Sequence, residues 1–471
     1  MILARLLGPE QYGLIAMAGV FMNIAYMLAD GGFGNALVQK DKADNIDYST
    51  VFYFNIGVCG FIYLLIFACA PLIADFFREQ SLVAIVRVSS LGIILVALGQ
   101  IQSLIFKKEI DFKTQVKRDL ICQLISVIVA VIMAYRGYGV WALVAQGISY
   151  TLLSTIMNWF ISSWRPILVF SFNRLSRLFN YGSKTLAASL IDYSFRKAYE
   201  VIVGRVYSPV SLGLYNRAYS TAEIFRGTFF GVFSNVTFPL FVKMQDDNVR
   251  LIVNIRKFLQ IVSLIIFTVM GCVIALSTPI FQFMYSAKWD AAIDLFCIAC
   301  ISAMITPVIS ILESIILAKG YSGKFLFISI VRKVFVVASI AITWSLGVMW
   351  LMIGQMVVTI CECLLYTYYT NRIISYSFKD LYQDIWNSVL VALFVSGLVY
   401  GCDSLIRHVL DISILSPMIY YMLRIIIGVC VAVLSFIVIC KTTGIRSYNE
   451  FLQFIEDSIG TNKIIAFLKA K

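Results

Sequence analysis

The chain is organised around long apolar runs, most of them more than 20 residues, separated by short polar connections. Runs of that length fit the hydrocarbon core of a bilayer, which a helix of about 20 residues crosses. In lipid only helices and closed barrels satisfy their backbone hydrogen bonds. Barrel strands would read as alternating segments of about 10 residues, and the sequence has none. Helical spans are predicted near 12–38, 50–76, 82–106, 118–135, 140–164, 183–206, 212–239, 255–285, 290–318, 325–345, 348–370, 386–406 and 415–440. Only 14% of residues are charged, against about 25% in soluble domains. The class is an all-α, polytopic membrane protein.

A net charge of +12 raises the question of nucleic acid. Placement answers it. Connections on one side of the predicted membrane, with the tail, hold 24 basic residues; those on the other hold six: Arg5, Arg78, Arg136, Arg205, Lys288 and Arg407. This is the positive-inside bias. It makes the richer side cytoplasmic, the C-terminus included, and calls for no nucleic acid. The seven tryptophans, Trp289 among them, fall near predicted span ends, as an aromatic belt requires. Cys297 with Cys300 and Cys361 with Cys363 lie inside apolar spans without the further ligands a structural zinc needs. They read as small apolar residues, and no metal or cofactor is predicted.

The sequence also repeats. Shifted by 200 residues, "ILARLLGPEQYGL" (2–14) overlies "IVGRVYSPVSLGL" (202–214) without a gap. Ile2, Arg5, Pro9, Gly13, Leu14, Ala18, Ile24, Gly31, Phe33 and Asn35 all recur 200 residues later. Copies entering the membrane in the same direction build two-lobed transporters. The predicted plan is two parallel-repeat six-helix lobes plus a final helix pair. Its segments are an N-lobe (1–164), an amphipathic cytoplasmic linker (165–182), a C-lobe (183–370), a cytoplasmic connection (371–385), the final pair (386–440) and an interfacial tail (441–471). Residues 167–182, with Phe170, Phe172, Leu175 and Phe179 against Arg174 and Arg177, are expected to lie on the membrane with their bases on anionic headgroups, as is 451–470. In the second copy a complete span, 183–206, precedes the Pro turn. Its first-copy counterpart is expected before Met1, so the first helix reads as truncated.

The openings "ILARLLGPEQYGLIAMAGVF", "LADGGFGNALVQK" (28–40) and "GRVYSPVSLGLYNRAYS" (204–220) resemble the polysaccharide flippase branch of the multidrug/oligosaccharidyl-lipid/polysaccharide exporter superfamily. The nearest likeness is to Wzx-type and teichuronic-acid-exporter-like lipopolysaccharide biosynthesis proteins. The resemblance implies fourteen helices and translocation of an undecaprenyl-pyrophosphate-linked oligosaccharide from the cytoplasmic to the outer leaflet of a bacterial inner membrane. Membrane lipids, and a polysaccharide polymerase with its export machinery, are the partners it implies.

Read from the residues alone, the informative charges are those topology leaves unexplained. Arg87, Arg196, Lys197, Arg217, Arg226, Arg332, Lys333 and Arg424 lie within spans. Each costs about 2.5–3.5 kcal/mol at a helix centre. Arg87, Arg217, Arg332, Lys333 and Arg424 are within a few turns of an interface, where snorkelling explains them. Arg196, Lys197 and Arg226 are nearer mid-membrane and must face protein or water. Arg196 and Glu200 are spaced i,i+4, and Glu223 and Arg226 i,i+3, so each pair shares a helix face. The predicted site is a polar cavity for the pyrophosphate, lined by Arg196, Lys197, Glu200, Arg217, Glu223 and Arg226. Arginine suits it, offering planar bidentate donors to phosphate. The competing reading is ion pairs that hold the bundle together.

No GxxxxGK[ST] motif is present, so direction must come from an ion gradient or downstream consumption. Asp30 and Glu362 are the candidates for ion coupling, with bundle hydrogen bonds as the alternative. A cation-coupled drug or metabolite antiporter would need a carboxylate-rich site, whereas this set is mixed. A truncated, non-transporting copy is a third reading. A membrane enzyme would need long outward loops or acid–base pairs, and the single His408 has no partner set, so no enzyme is predicted.

Overall fold

The computed structural model of the chain describes residues 1–30, 37, 43–409, 416–443 and 448. Every regular element among them is helical. In order these are α1 (Ile2–Leu6), α2 (Pro9–Asp30), α3 (Asn45–Phe77), α4 (Leu82–Ser89), α5 (Leu91–Lys108), α6 (Phe112–Tyr135), α7 (Val140–Ile161) and α8 (Phe172–Val206). There follow α9 (Pro209–Val242), α10 (Asn248–Ala275), α11 (Ser277–Met284), a 3-10 turn (Ala287–Ala292), α12 (Ile293–Ala318), α13 (Ser322–Thr343), α14 (Val348–Ile374), α15 (Phe378–Val409) and α16 (Pro417–Thr443). Over the described residues, each expected span coincides with a long helix or with two helices in succession. The 255–285 span breaks at Leu276, and Pro279 falls in the first turn of the new helix, where a missing N–H is least costly. Among the described residues, eleven stretches are long and apolar enough to cross a membrane. The long helices outside that set are α8 and α9, the two that carry the predicted mid-depth charges.

The chain divides into two compact units, Met1–Asn216 and Arg217–Lys471. In the first, α3 begins on a reciprocal cap. The Asp44 side chain accepts from the Asp47 N–H (2.9 Å), and the Asp47 side chain accepts from the Asp44 N–H (3.1 Å). The same end of α3 binds the segment leading into α8. Trp164 donates its indole N–H to Asn45 (2.6 Å), Ile167 N donates to Ser49 Oγ (3.0 Å), and Ser171 N donates to Thr50 Oγ1 (3.3 Å). Arg174 pairs with both Asp44 and Asp47. These contacts correct the expected interfacial helix. Residues 162–171 are a non-helical strap, and α8 then runs unbroken for 35 residues. Arg174 binds carboxylates rather than lipid, and Leu175 is buried with Leu37, Val51, Phe52, Ile101 and Leu104. Burial against α3 offers Leu175 more than a membrane surface would. Phe170 and Phe172 remain exposed; Arg177 and Phe179 lie outside the described side chains.

The repeat is visible as a crossing. Both α2 and α9 start on proline, whose missing N–H costs nothing at the first helical position. A Cβ built on Gly13 would lie 1.7 Å from the Pro209 carbonyl oxygen, and one on Gly213 would lie 1.9 Å from that of Pro9. The two turns thus contact each other reciprocally, as elements related by a two-fold axis do.

In the second unit α10 and α15 pack along their lengths. Arg256 pairs with Asp380, Gln260 donates to Asp384 (2.7 Å), Ser263 meets Ser388 (3.0 Å), and Gly271 abuts Ser396. The near-constant offset between partners shows that the helices run parallel. Gly354 of α14 lies against Ser339 and Thr343 of α13. Helices α15 and α16 are joined by Asp403, which accepts from Arg424 Nε (2.7 Å) and Nη2 (2.6 Å) and from Arg407 Nη2 (3.1 Å). The Arg424 side chain is 3% exposed and that of Asp403 1%, so Arg424 is a buried ion-pair member, not a snorkelling residue. Trp289 is likewise fully buried rather than part of a belt, whereas Trp344, Trp350 and Trp386 are exposed.

Candidate functional site

Helix α8 packs against α2 and α3, yet its middle carries Asp192, Arg196, Lys197 and Glu200. Acid–base pairing on one face divides these charges. Lys197 Nζ reaches Glu200 Oε1 at 2.5 Å, and Arg196 reaches Asp192 Oδ2 at 3.1 Å. The expected Arg196–Glu200 pair is therefore replaced. Both alternatives are four residues apart, but an acid N-terminal to its base aligns better with the helix dipole than the reverse. Glu200 is left to Lys197, three residues away on the same face. The Arg196 side chain stays 58% exposed, and Asn23, in the C-terminal half of α2, is exposed too. Polar side chains exposed in the middle of a spanning helix must meet water or protein, since lipid offers them no partner.

On α9 the predicted Glu223–Arg226 pair forms, with hydrogen bonds of 3.0, 3.1 and 2.5 Å. Arg217 sits over the rings of Tyr285 (5.0 Å) and Trp289 (5.4 Å). Thr221 bridges its backbone oxygen (2.7 Å) to the Tyr285 hydroxyl (2.8 Å). The aromatic faces attract the cation and fix its position. With all groups ionised, Arg217, Glu223 and Arg226 leave α9 one positive charge in excess, while the four charges of α8 cancel. Neither set of charges is as cationic as its count of bases alone suggests.

Glu362 lies in the middle of α14 with its side chain 10% exposed, paired at 3.1 Å to Arg332 Nε of α13. Arg332 stands ten residues into a 22-residue helix, near its centre, so cross-helix pairing explains it and snorkelling does not. Asp30 ends α2; its side chain lies outside the described residues, as do residues 31–36, 38–42, 410–415 and the expected amphipathic stretch 451–470. Sequence reasoning missed Asp192, Arg332 as the partner of Glu362, and Asp403. Only Asp192 was accessible to it, through the i,i+4 spacing. Among the described residues no group of three His, Cys, Asp or Glu side chains is placed to hold a metal, and all 11 cysteines are free thiols.

Residues 2–294 match the sequence model of a family described as polysaccharide biosynthesis protein. The chain is 25% identical over 304 residues to the teichuronic acid biosynthesis protein TuaB of Bacillus subtilis strain 168, covering 63% of this chain and 62% of that one. It is 22% identical over 393 residues to the lipopolysaccharide biosynthesis protein WzxC of Escherichia coli strain K12, covering 82% and 79%. Against the succinoglycan biosynthesis transport protein ExoT of Rhizobium meliloti strain 1021 it is 23% identical, over 62% of this chain and 59% of that one. The match thus spans less than two thirds of TuaB and of ExoT. In fold the chain is similar to the lipid II flippase MurJ in an inward closed conformation, with TM-score 0.69 and 14% identity over 94% of this chain and 95% of that one. It is also similar to an inward-facing multidrug resistance MATE family transporter, with TM-score 0.61 and 16% identity over 79% and 92%.

Proposed function

The chain belongs to the polysaccharide biosynthesis protein family, and from that premise we propose that it translocates a lipid-linked oligosaccharide. The cargo is an undecaprenyl-pyrophosphate-linked repeat unit, moved from the cytoplasmic to the outer leaflet of a bacterial inner membrane. Movement is by alternating access of two repeat lobes, 1–164 and 183–370, with the C-terminus cytoplasmic and with no covalent step. The observation that carries the reading is the exposed polar surface past the middle of α8, centred on Arg196 and Asp192. Such a surface needs water or a polar cargo beside it. The Arg196 and Arg226 guanidiniums engage carboxylates at rest, and phosphate oxygens would compete for the same N–H donors. The polyprenyl chain remains in lipid.

The Arg332–Glu362 pair supports a role for Glu362 in ion coupling, because a proton or cation on the carboxylate would release the arginine. Downstream polymerisation and export would then keep the outer pool low. The test is Arg196→Ala and Arg226→Ala in cells that depend on this chain for surface polysaccharide. Both variants should accumulate the lipid-linked oligosaccharide on the cytoplasmic leaflet, and normal surface polysaccharide in both would sink the proposal.

A further inference from the structure

We propose that the crossing of residues 9–13 with 209–213 is the outer gate of the path, closed by a backbone contact that only glycine permits. The inference rests on the transport reading, and on the basic-residue bias that places this end outside. Within Met1–Asn216 an added Cβ on Gly92 or Gly99 would meet first a side-chain atom, of Tyr26 (2.5 Å) and Thr155 (3.0 Å), whereas the approaches to opposing backbone carbonyls are at the crossing. Gly13 and Gly213 meet the opposing proline carbonyls at 1.7 and 1.9 Å from an added Cβ, and Gly204 meets the Phe77 ring at 2.9 Å. Gly19 further along α2, and Gly57 and Gly60 in α3, have nothing within 4 Å.

Neither Gly13 nor Gly213 has a positive φ, so the missing side chain serves proximity rather than backbone freedom. Around the crossing, Phe21 lies edge-on to Phe76 and Phe77 with centroids at 6.4 and 5.9 Å. Arg205 covers Phe76 at 5.5 Å. Leu212 and Val203 are fully buried. The same helices that touch here, α2 and α8–α9, carry the exposed side chains of Asn23, Asp192 and Arg196 further along. The crossing is therefore packed closely at the outer end, with polar side chains exposed below it. Contacts between Cα–H groups and carbonyl oxygens are individually weak, which suits a closure that must part and reform. Because the contact is reciprocal, a Cβ at either glycine must drive the same two backbones apart, by roughly 1 Å or more.

The test uses the full chain carrying Leu212→Cys, labelled on intact cells by a membrane-impermeant maleimide and counted above the signal of the native cysteines. Gly13→Ala and Gly213→Ala should each raise the labelling rate about tenfold, and the double variant by no more than either alone, since one contact is broken in all three. Gly19→Ala should leave the rate unchanged. Equal rates in the Gly13→Ala and Gly19→Ala chains overturn the proposal. Should the alanine variants fail to reach the membrane, the unmodified glycines are kept and Glu10→Cys is paired with Val210→Cys. A short bifunctional thiol reagent applied from outside should link them in resting cells, and no link overturns the gate. Neither readout needs cargo. Failure of oligosaccharide export would thus leave a positive result standing, and unchanged labelling would leave the transport reading untouched.

Discussion

Replacing Arg424 by methionine should be among the most damaging single changes in the second unit. Asp403 and Arg424 are both almost wholly buried and share two hydrogen bonds of 2.6 and 2.7 Å. Without the arginine, Asp403 keeps one contact, at 3.1 Å, to Arg407, whose side chain is half exposed. Stranding one member of a buried pair costs about 3–5 kcal/mol. The surviving Arg407 contact places the expected loss near the lower figure, about 3 kcal/mol. Loss of the stacking on Tyr420 and Tyr421, at 5.3 and 5.9 Å, adds about 0.5–1 kcal/mol for each ring. The paired replacement Asp403→Leu with Arg424→Met removes both charges together and should lie within about 1 kcal/mol of the parent. The assay is unfolding of the purified chain in mixed micelles against increasing SDS, arranged as a double-mutant cycle. A coupling energy below about 1 kcal/mol, or a double variant as unstable as Arg424→Met, would refute the reasoning.

The strap should be insensitive to mild acid. The hydrogen bond from Arg174, followed by that from the Asp47 N–H, holds the Asp44 carboxyl at about 2. Its contribution is complete above the ordinary carboxylate value of about 4 and is lost only as pH falls through about 2. Hydrogen exchange of residues 162–171, corrected for intrinsic rates, should match at pH 7 and pH 5, whereas Asp44→Asn should accelerate it at pH 7; acceleration already at pH 5 in the parent would contradict this. Glu362→Gln should leave export running but insensitive to collapse of the ion gradient, and retained sensitivity removes Glu362 from coupling. Gly354→Val places a Cβ 2.4 Å from Ser339 Oγ and should cost about 1–3 kcal/mol in the micelle assay. Gly57→Val, in open space, should cost less than about 0.5 kcal/mol.

What the sequence made legible is what a single helix or a fixed offset encodes. Apolar run length gave the spans, and the recurrence of Pro9 and Gly13 at 209 and 213 gave a repeat that the structure turns into a physical crossing. Glu223 and Arg226 pair as spaced. Arg196 did not, because two carboxylates flank it at equal spacing and the helix dipole decides between them. The longer-range partners were hidden for a different reason. Asp403 and Arg424 lie on separate helices, as do Arg332 and Glu362, and only packing brings them together. Snorkelling was a reasonable account of Arg424 in a span taken alone; a neighbouring carboxylate made it unnecessary. The linker was misjudged because Phe172, Leu175 and Arg174 fit a membrane surface and the end of α3 equally well by composition. Buried Ser49 and Thr50 at that end, waiting for the N–H groups of Ile167 and Ser171, decide the matter.

Helix α8 runs without a break from the Arg174 clasp to the Gly204–Leu212 contact at the far end. Thirty-one residues separate Arg174 from Arg205, a shaft of about 47 Å. A stiff shaft anchored at one end is a lever, and the double carboxylate of Asp44 and Asp47 is its fulcrum. A tilt of about 6° about that point sweeps the distant tip through about 5 Å, ample to separate surfaces that touch over one or two atoms. The charges between Asp192 and Glu200 travel roughly 60–85% as far. Leverage of this kind makes the reach of α8 a property of two aspartates at its near end, and loosening them should blunt motion at its far end.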